Sequence, residues 1–280
     1  MREKPEIKLI AFDLDFTLLN SRKEVSAANR AALLRAAGAG IELVPATGRF
    51  YDAVPEAVRE LPIHYAITVN GAIVFDVRRR AAMVHTCLRL DTALDVMRYL
   101  DTLPVIYDAV MDDWGYMSRG HFERIEDFFD DEHQVRAMRM FRRPVDDLKA
   151  FVRDRGQGLN KIVTFTLDRK LQASLLRELP VRFPGTAISS SYDNNIEIND
   201  EHANKAEALE KLAGCLGMDM RQTMAFGDGL NDVGMLRAAG IGVAMGNGCD
   251  AVRAAADFVT LPCDEDGVAA GVEKFCFGVK

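Results

Sequence analysis

Short, nearly unbroken apolar runs alternate with longer amphipathic stretches at the start of the chain. "IKLIAF" (7–12) predicts a buried strand, and Ser26 to Ala39 predicts a helix, with Ser26 placed to cap it and Gly38 or Gly40 to end it. "IELVPATGR" (41–49) predicts a second strand entering a polar loop. Asp52 to Glu60 predicts a short helix, and "YAITV" a third strand before "NGAIVFD". Continuous apolar strands separated by helices predict a parallel sheet covered on both faces.

The pattern changes near Ala82, where aromatic and charged residues mix, as in "YDAVMDDWGYMSR" and "HFERIEDFFDDEH". Asp91 to Leu100 predicts a helix, because Ala93, Val96, Met97 and Leu100 recur at helical spacing. "PVIYDAV" and "WGYMSR" predict two strands joined by the acidic turn Asp112–Asp113. A helix after Pro144, the strand "KIVTFTL", a helix from Asp168 to Leu179 and strands through "TAISSSYDNNIEI" complete an α+β segment. The first pattern then returns. A helix from about Lys205 to Leu216 precedes the strand "TMAFGD", a helix through Val233 to Ala239, the strand "IGVAM", a helix near Asp250 to Ala255, and "FVTL". The expected architecture is α/β. A doubly wound parallel-sheet core, residues 1–81 and 188–280, is split in sequence by an inserted α+β domain at 82–187.

Composition narrows the function classes. The 280 residues are 49% hydrophobic and 28% charged, the balance of a globular protein. A net charge of −7, from 42 acids and 35 bases, argues against a nucleic-acid polymer as partner. The basic clusters Arg78–Arg80 and Arg136–Arg143 are short, broken by apolar residues, and read as solvated faces. Five scattered cysteines form no CxxC or CxxH pair, which reads as reduced thiols. The run Leu61–Phe75 is too short and too polar to span a bilayer, and "MREKPEIK" is no signal segment. A soluble, cytoplasmic protein without a membrane partner is expected.

The chemistry concentrates at predicted strand ends, where ligands bind in an open parallel sheet. "KLIAFDLDFTLLN" carries a strand directly into Asp13 and Asp15, a like-charge pair that costs stability unless a cation or a two-acid reaction uses it. Thr47 in "ATGR", Asn70–Gly71 and Asp228 in "GDGLND" occupy equivalent ends. Asp13, Asp228 and Asp232 are hard oxygen donors suited to Mg²⁺. Thr47 and Lys205 offer a hydroxyl and an ammonium to a phosphoryl group, so the set reads as a phosphoryl-transfer site. Two bland readings fail. A calcium loop on Asp13, Asp15 and Glu24 lacks its turn glycine, because Leu18 stands there. A dinucleotide fingerprint in "GDGLND" would need a small residue at Asp232.

"DLDFT", "ATGR", the lysine of "HANKAEAL" and "GDGLND" occur in the order of the four motifs of the haloacid dehalogenase superfamily. With the insert and "NNIEIND", the chain resembles the Cof-type phosphatase branch, which carries a large cap. The resemblance implies a Mg²⁺-dependent phosphatase acting on a small phosphorylated metabolite: a sugar phosphate, a nucleotide or a phosphorylated cofactor. It implies that Asp13 is the nucleophile and forms an aspartyl-phosphate, and that Asp15 is the acid and base. Mg²⁺ would lie on the Asp13 carboxylate, the Asp15 carbonyl and Asp228, with Asp232 nearby, while Thr47, the Gly48 amide, Lys205 and Asn231 would grip the phosphoryl oxygens. A monomer or small homo-oligomer is expected. Selectivity would lie in the cap, with Trp114, Tyr116, His121 and Lys161 as candidates. Two residues depart from the pattern: Phe16 stands where glycine is usual, and Asn204 where serine or glycine is common. A phosphomutase and a phospho-accepting or ligand-binding switch are the alternatives.

Overall fold

A computed structural model of the chain describes residues 6–112, 114–129, 131–190 and 194–279. The chain divides into two compact units, Met1–Val84 with Asn204–Lys280 and His85–Ala203.

The first unit is built on five parallel strands: β1 (Leu9–Phe12), β2 (Glu42–Pro45), β12 (Thr223–Gly227), β13 (Ile241–Ala244) and β14 (Phe258–Val259). Their order across the sheet is β14-β13-β12-β1-β2, so β1 lies between β12 and β2 although some two hundred residues separate β1 from β12. Leu9 and Ala11 of β1 are packed with Val44, Ala225 and Ala244 of its neighbours and with Ala208, Leu209 and Leu212 of the Lys205–Cys215 helix. Burial of both sheet faces explains why these strands read as continuous apolar runs rather than alternating ones. The Ala27–Gly38 helix begins at Ser26, whose side chain accepts from the Asn29 amide, and packs against the Gly267–Phe277 helix.

The third predicted strand departs from expectation. β3 (Tyr65–Thr68) runs beside β2 with isolated parallel bridges, Leu43 with Ile63 and Ala46 with Ile67, rather than a continuous ladder, and its full ladder is antiparallel to β4 (Ile73–Asp76), part of a three-stranded sheet completed by β5 (Ala81–His85). The tight link Val69–Gly71 reverses the chain, which a parallel crossover could not do in so few residues. The helix expected over 52–60 is broken into a 3₁₀ turn, Tyr51–Ala53, and a short helix, Glu56–Arg59. Pro55 pushes Val54 into extended backbone and has no amide to donate, so the two cannot join.

The second unit carries a six-stranded mixed sheet of β6 (Ile106–Met111), β7 (Trp114–Ser118), β8 (Arg142–Val145), β9 (Lys161–Phe165), β10 (Thr186–Ser189) and β11 (Asn195–Asp200), in the order β10-β11-β9-β6-β7-β8. Period-two alternation divides its faces. Tyr107, Ala109 and Met111 pack with Val96, Met97, Val152 and Leu175 of three helices, whereas Ile106 joins Met117, Val163 and Phe165 beneath Ile125, Phe128 and Met138. A helix at Glu132–Met140 was not foreseen in the charged run after His121. The expected boundaries are corrected as well: position 187 falls inside β10, which ladders with β11 onto this sheet, so the unit runs from 85 to 203. Asp113 of the acidic turn and residues 191–193 of "TAISSSYDNNIEI" lie outside the described residues.

Candidate active site

The strand order β12-β1-β2 brings three carboxyl ends side by side. Asp13 follows β1, Thr47 follows β2, and Asp228 follows β12. The Asp13 amide donates to the Phe226 carbonyl at 3.0 Å, extending the β1–β12 ladder to the first acid. Lys205 enters from the first turn of its helix, which Asn204 caps by accepting from the Glu207 amide at 2.9 Å. Asparagine at 204 thus serves as a good helix cap. The helix approaches closely because residue 71 is glycine. Its φ is +101°, and a Cβ there would lie 2.2 Å from the Asn204 carbonyl oxygen.

Lys205 is buried, and its Nζ donates to Asp13 Oδ1 at 2.6 Å and to Asp232 Oδ1 at 2.7 Å. Asp232 is wholly buried, and its Oδ2 accepts from the amides of Asp228 and Gly229 at 3.0 and 2.9 Å. This position is open because residue 227 has no side chain; a Cβ there would lie 2.3 Å from the Cβ of Asp232. Asp228 accepts from the Thr17 hydroxyl at 2.8 Å. One carboxylate oxygen from each of Asp13, Asp228 and Asp232 lies within 4.8 Å of the others.

Burial pushes Asp13 up to about 7, against the pull of Lys205 and with the help of the Asp232 and Asp228 charges. Burial likewise raises Asp228 to about 6, opposed by the Thr17 hydrogen bond. Burial works to lower Lys205, but the carboxylates of Asp13 and Asp232 outweigh it and hold the ammonium charged.

Asp15 is placed differently. Its carboxylate is outside the three-acid cluster and accepts from Arg49 Nε and Nη2 at 2.9 and 2.8 Å and from Lys23 Nζ at 2.9 Å. Burial favours its neutral form, yet Arg49 and Lys23 prevail and hold it below the usual carboxylate range. Thr47 is buried, and its hydroxyl accepts from the Arg49 amide at 3.2 Å. Gly48 and Asn231 converge on Asn70. Asn231 donates to Asn70 Oδ1 at 3.3 Å, and a Cβ on Gly48 would meet the same oxygen at 2.8 Å. Asp13, Asp15, Thr47, Gly48, Lys205, Asp228, Asn231 and Asp232 therefore all lie in the first unit, at or just beyond strand ends and at the start of the Lys205–Cys215 helix. Sequence reasoning missed Thr17, Arg49 and Lys23. The first two stand inside the quoted motifs, whereas nothing local marks Lys23.

The insert candidates have structural partners. Tyr116 packs in the hydrophobic core of the second unit, and His121 stacks edge-on against Tyr107, where burial lowers its pKa. Lys161 is buried beside Glu197 at 3.3 Å, and Arg143 lies over the Trp114 ring.

Residues 10–272 match the family of haloacid dehalogenase-like hydrolases. The chain belongs to that family. Phosphatase YwpJ of Bacillus subtilis is 32% identical over 94% of this chain and 98% of its own length. The 5-amino-6-(5-phospho-D-ribitylamino)uracil phosphatase YcsE of the same organism is 33% identical over 98% of both chains. A crystal structure of a haloacid dehalogenase-like hydrolase from Bacteroides thetaiotaomicron superposes with a TM-score of 0.81 at 28% identity, covering 96% of this chain and 99% of that one. Membership of this hydrolase family, together with full-length phosphatase relatives, makes the chain a phosphatase of the Cof type. Among the described residues, no helix is long and apolar enough to cross a membrane.

Proposed function

We propose that the chain hydrolyses a small phosphorylated metabolite with the help of Mg²⁺, through an aspartyl-phosphate on Asp13. The observation that carries this reading is the buried cluster in which Lys205 bridges Asp13 and Asp232 with Asp228 alongside. Three carboxylates against one ammonium leave two negative charges in excess when all are ionised, which is the charge of one divalent cation. All the donors are oxygen, as Mg²⁺ prefers. Asp13, Asp228 and Asp232 would hold the ion, and the Asp15 side chain is committed to Arg49 and Lys23. The bound ion supplies positive charge that offsets repulsion between an anionic nucleophile and an anionic phosphoryl group.

The chain's own groups do the rest. Asp13 attacks phosphorus, and the ester oxygen leaves with a proton from Asp15. An arriving phosphate dianion opposes the pull of Arg49 and Lys23 on Asp15 and so favours its protonated form. Once the alcohol has left, Asp15 is again an ion-paired carboxylate and accepts a proton from the water that cleaves the acyl-phosphate. Lys205, the Thr47 hydroxyl, the Gly48 amide and Asn231 bind the phosphoryl oxygens. Substrate selection is assigned in part to residues 85–203, since every residue given a chemical role lies outside them. The name of YcsE, a phosphatase of a phosphorylated ribitylamino-pyrimidine, supports a metabolite of similar size here.

The test is phosphate release from a panel of phosphorylated metabolites with Mg²⁺ and with chelator, using wild type and Asp13→Asn. The amide keeps the shape but loses both the nucleophile and an anionic ligand, so release should vanish while the fold persists. Wild-type turnover in Asp13→Asn would exclude Asp13 as nucleophile.

A further inference from the structure

Phe16 follows Asp15 directly and adopts φ 61°, a left-handed backbone that a bulky side chain rarely takes. Lys23 does the same at φ 63°. The strain at Phe16 is not repaid by burial, since the residue is 46% exposed while Leu14, Leu18 and Leu19 around it are fully buried. Glycine would make this turn at lower conformational cost, so the ring is not needed by the fold. Its backbone is nonetheless held firmly. Asn247 donates to the Phe16 carbonyl at 2.8 Å and is itself fixed by accepting from the Cys263 amide at 2.8 Å.

This frame presents the ring beside the acid. Lys23 Nζ lies 3.9 Å from the centroid of the Phe16 ring and donates to Asp15 Oδ1 at 2.9 Å. Ring, ammonium and carboxylate therefore form one row, and the two strained residues are the ones that make it. Under the phosphatase reading above, on which this inference rests, Asp15 meets the ester oxygen. Because Lys23 Nζ touches both the ring and the acid, the part of the alcohol next to the ester methylene is the part that Phe16 would meet.

We infer that Phe16 is the platform of a leaving-group subsite, selecting phosphate esters whose alcohol carries a flat aromatic or heteroaromatic ring next to the ester methylene. A π-face accepts such a ring by offset stacking or edge-on contact, a geometry that a puckered ring of the same size does not reproduce. The half-exposed Lys23 ammonium adds a donor for an acceptor oxygen on that ring.

Three esters of primary alcohols test the subsite: benzyl phosphate, cyclohexylmethyl phosphate and glycerol 1-phosphate. Their leaving oxygens are chemically alike, so differences in kcat/KM report on the rest of the alcohol. Wild type should prefer benzyl over cyclohexylmethyl phosphate by about 2- to 10-fold, the range for one aromatic contact. Phe16→Leu and Phe16→Gly should abolish that ratio, chiefly through KM, and Phe16→Trp should restore it. Thermal unfolding identifies folded variants, and Phe16→Gly relieves the left-handed strain, so at least one informative variant survives. An unchanged benzyl-to-cyclohexylmethyl ratio in Phe16→Leu and Phe16→Gly overturns the inference. Hydrolysis by wild type with no preference for the flat ring overturns it too and leaves the phosphatase reading standing. Failure of wild type to hydrolyse any phosphate ester overturns both.

Discussion

Replacing Lys205 with methionine keeps much of the side chain's volume and removes its charge. In the folded chain Nζ is buried 2.6 Å from Asp13 and 2.7 Å from Asp232. Breaking a buried pair by deleting one partner typically costs about 3–5 kcal/mol, because the other charge is left uncompensated. Here the cost depends on pH. Asp13 has a folded pKa of about 7 against 3.8 when unfolded, so the metal-free native state takes up a proton between those values. Its contribution to stability is therefore largest at low pH and is lost as pH rises toward 7. Lys205 is one of the groups that lower the Asp13 pKa, so its removal raises it further and extends the loss to higher pH. Urea unfolding of wild type and Lys205→Met in chelator should give a difference of about 3–5 kcal/mol at pH 8.5 and a clearly smaller one at pH 5.5, where Asp13 is neutral. A difference below about 1 kcal/mol at pH 8.5, or one equal at both pH values, would refute the picture of a lysine neutralising buried carboxylates.

Two other consequences follow from the same site. Mg²⁺ should bind more weakly as pH falls from 7.5 to 5.5, because Asp13 and Asp228, at about 7 and 6, must release protons to coordinate it; calorimetric titration showing a flat affinity over that interval would exclude them as ligands. Gly71→Ala should destabilise by about 2–4 kcal/mol in urea unfolding and lower kcat, because the new Cβ meets the Asn204 carbonyl and displaces the helix that delivers Lys205; wild-type stability would show that the close approach is not required.

Much of this site was legible in the chain because its chemistry sits where strands end. Continuous apolar runs located β1, β2 and β12, and the ligand rule for parallel sheets then placed Asp13, Thr47 and Asp228 together without any knowledge of strand order. Other features depended on interactions that no local pattern encodes. Only Met138 of the Glu132–Met140 helix is buried, so its apolar spacing is too sparse to mark it. The second unit ends later than expected because β11 pairs with β9 and β10 with β11, a long-range choice that the apolar run itself does not reveal. The environment of Asp15 was the largest gap: Arg49 comes from after β2 and Lys23 from a left-handed turn, and both meet the acid only in three dimensions. Phe16 was visible as a departure from glycine, but its φ and its contact with Lys23 were not.

The covalent step is tested most directly in Asp15→Asn, which lacks the base for the second half of the reaction and should accumulate phosphoenzyme. With an aryl phosphate, whose alcohol leaves without a proton, rapid quench should show a burst of about one product per site. Peptide mapping of the acid-quenched protein should then place one phosphoryl group on Asp13. A phosphoryl group on another residue, or a burst-free reaction with no phosphorylated peptide, would contradict the account.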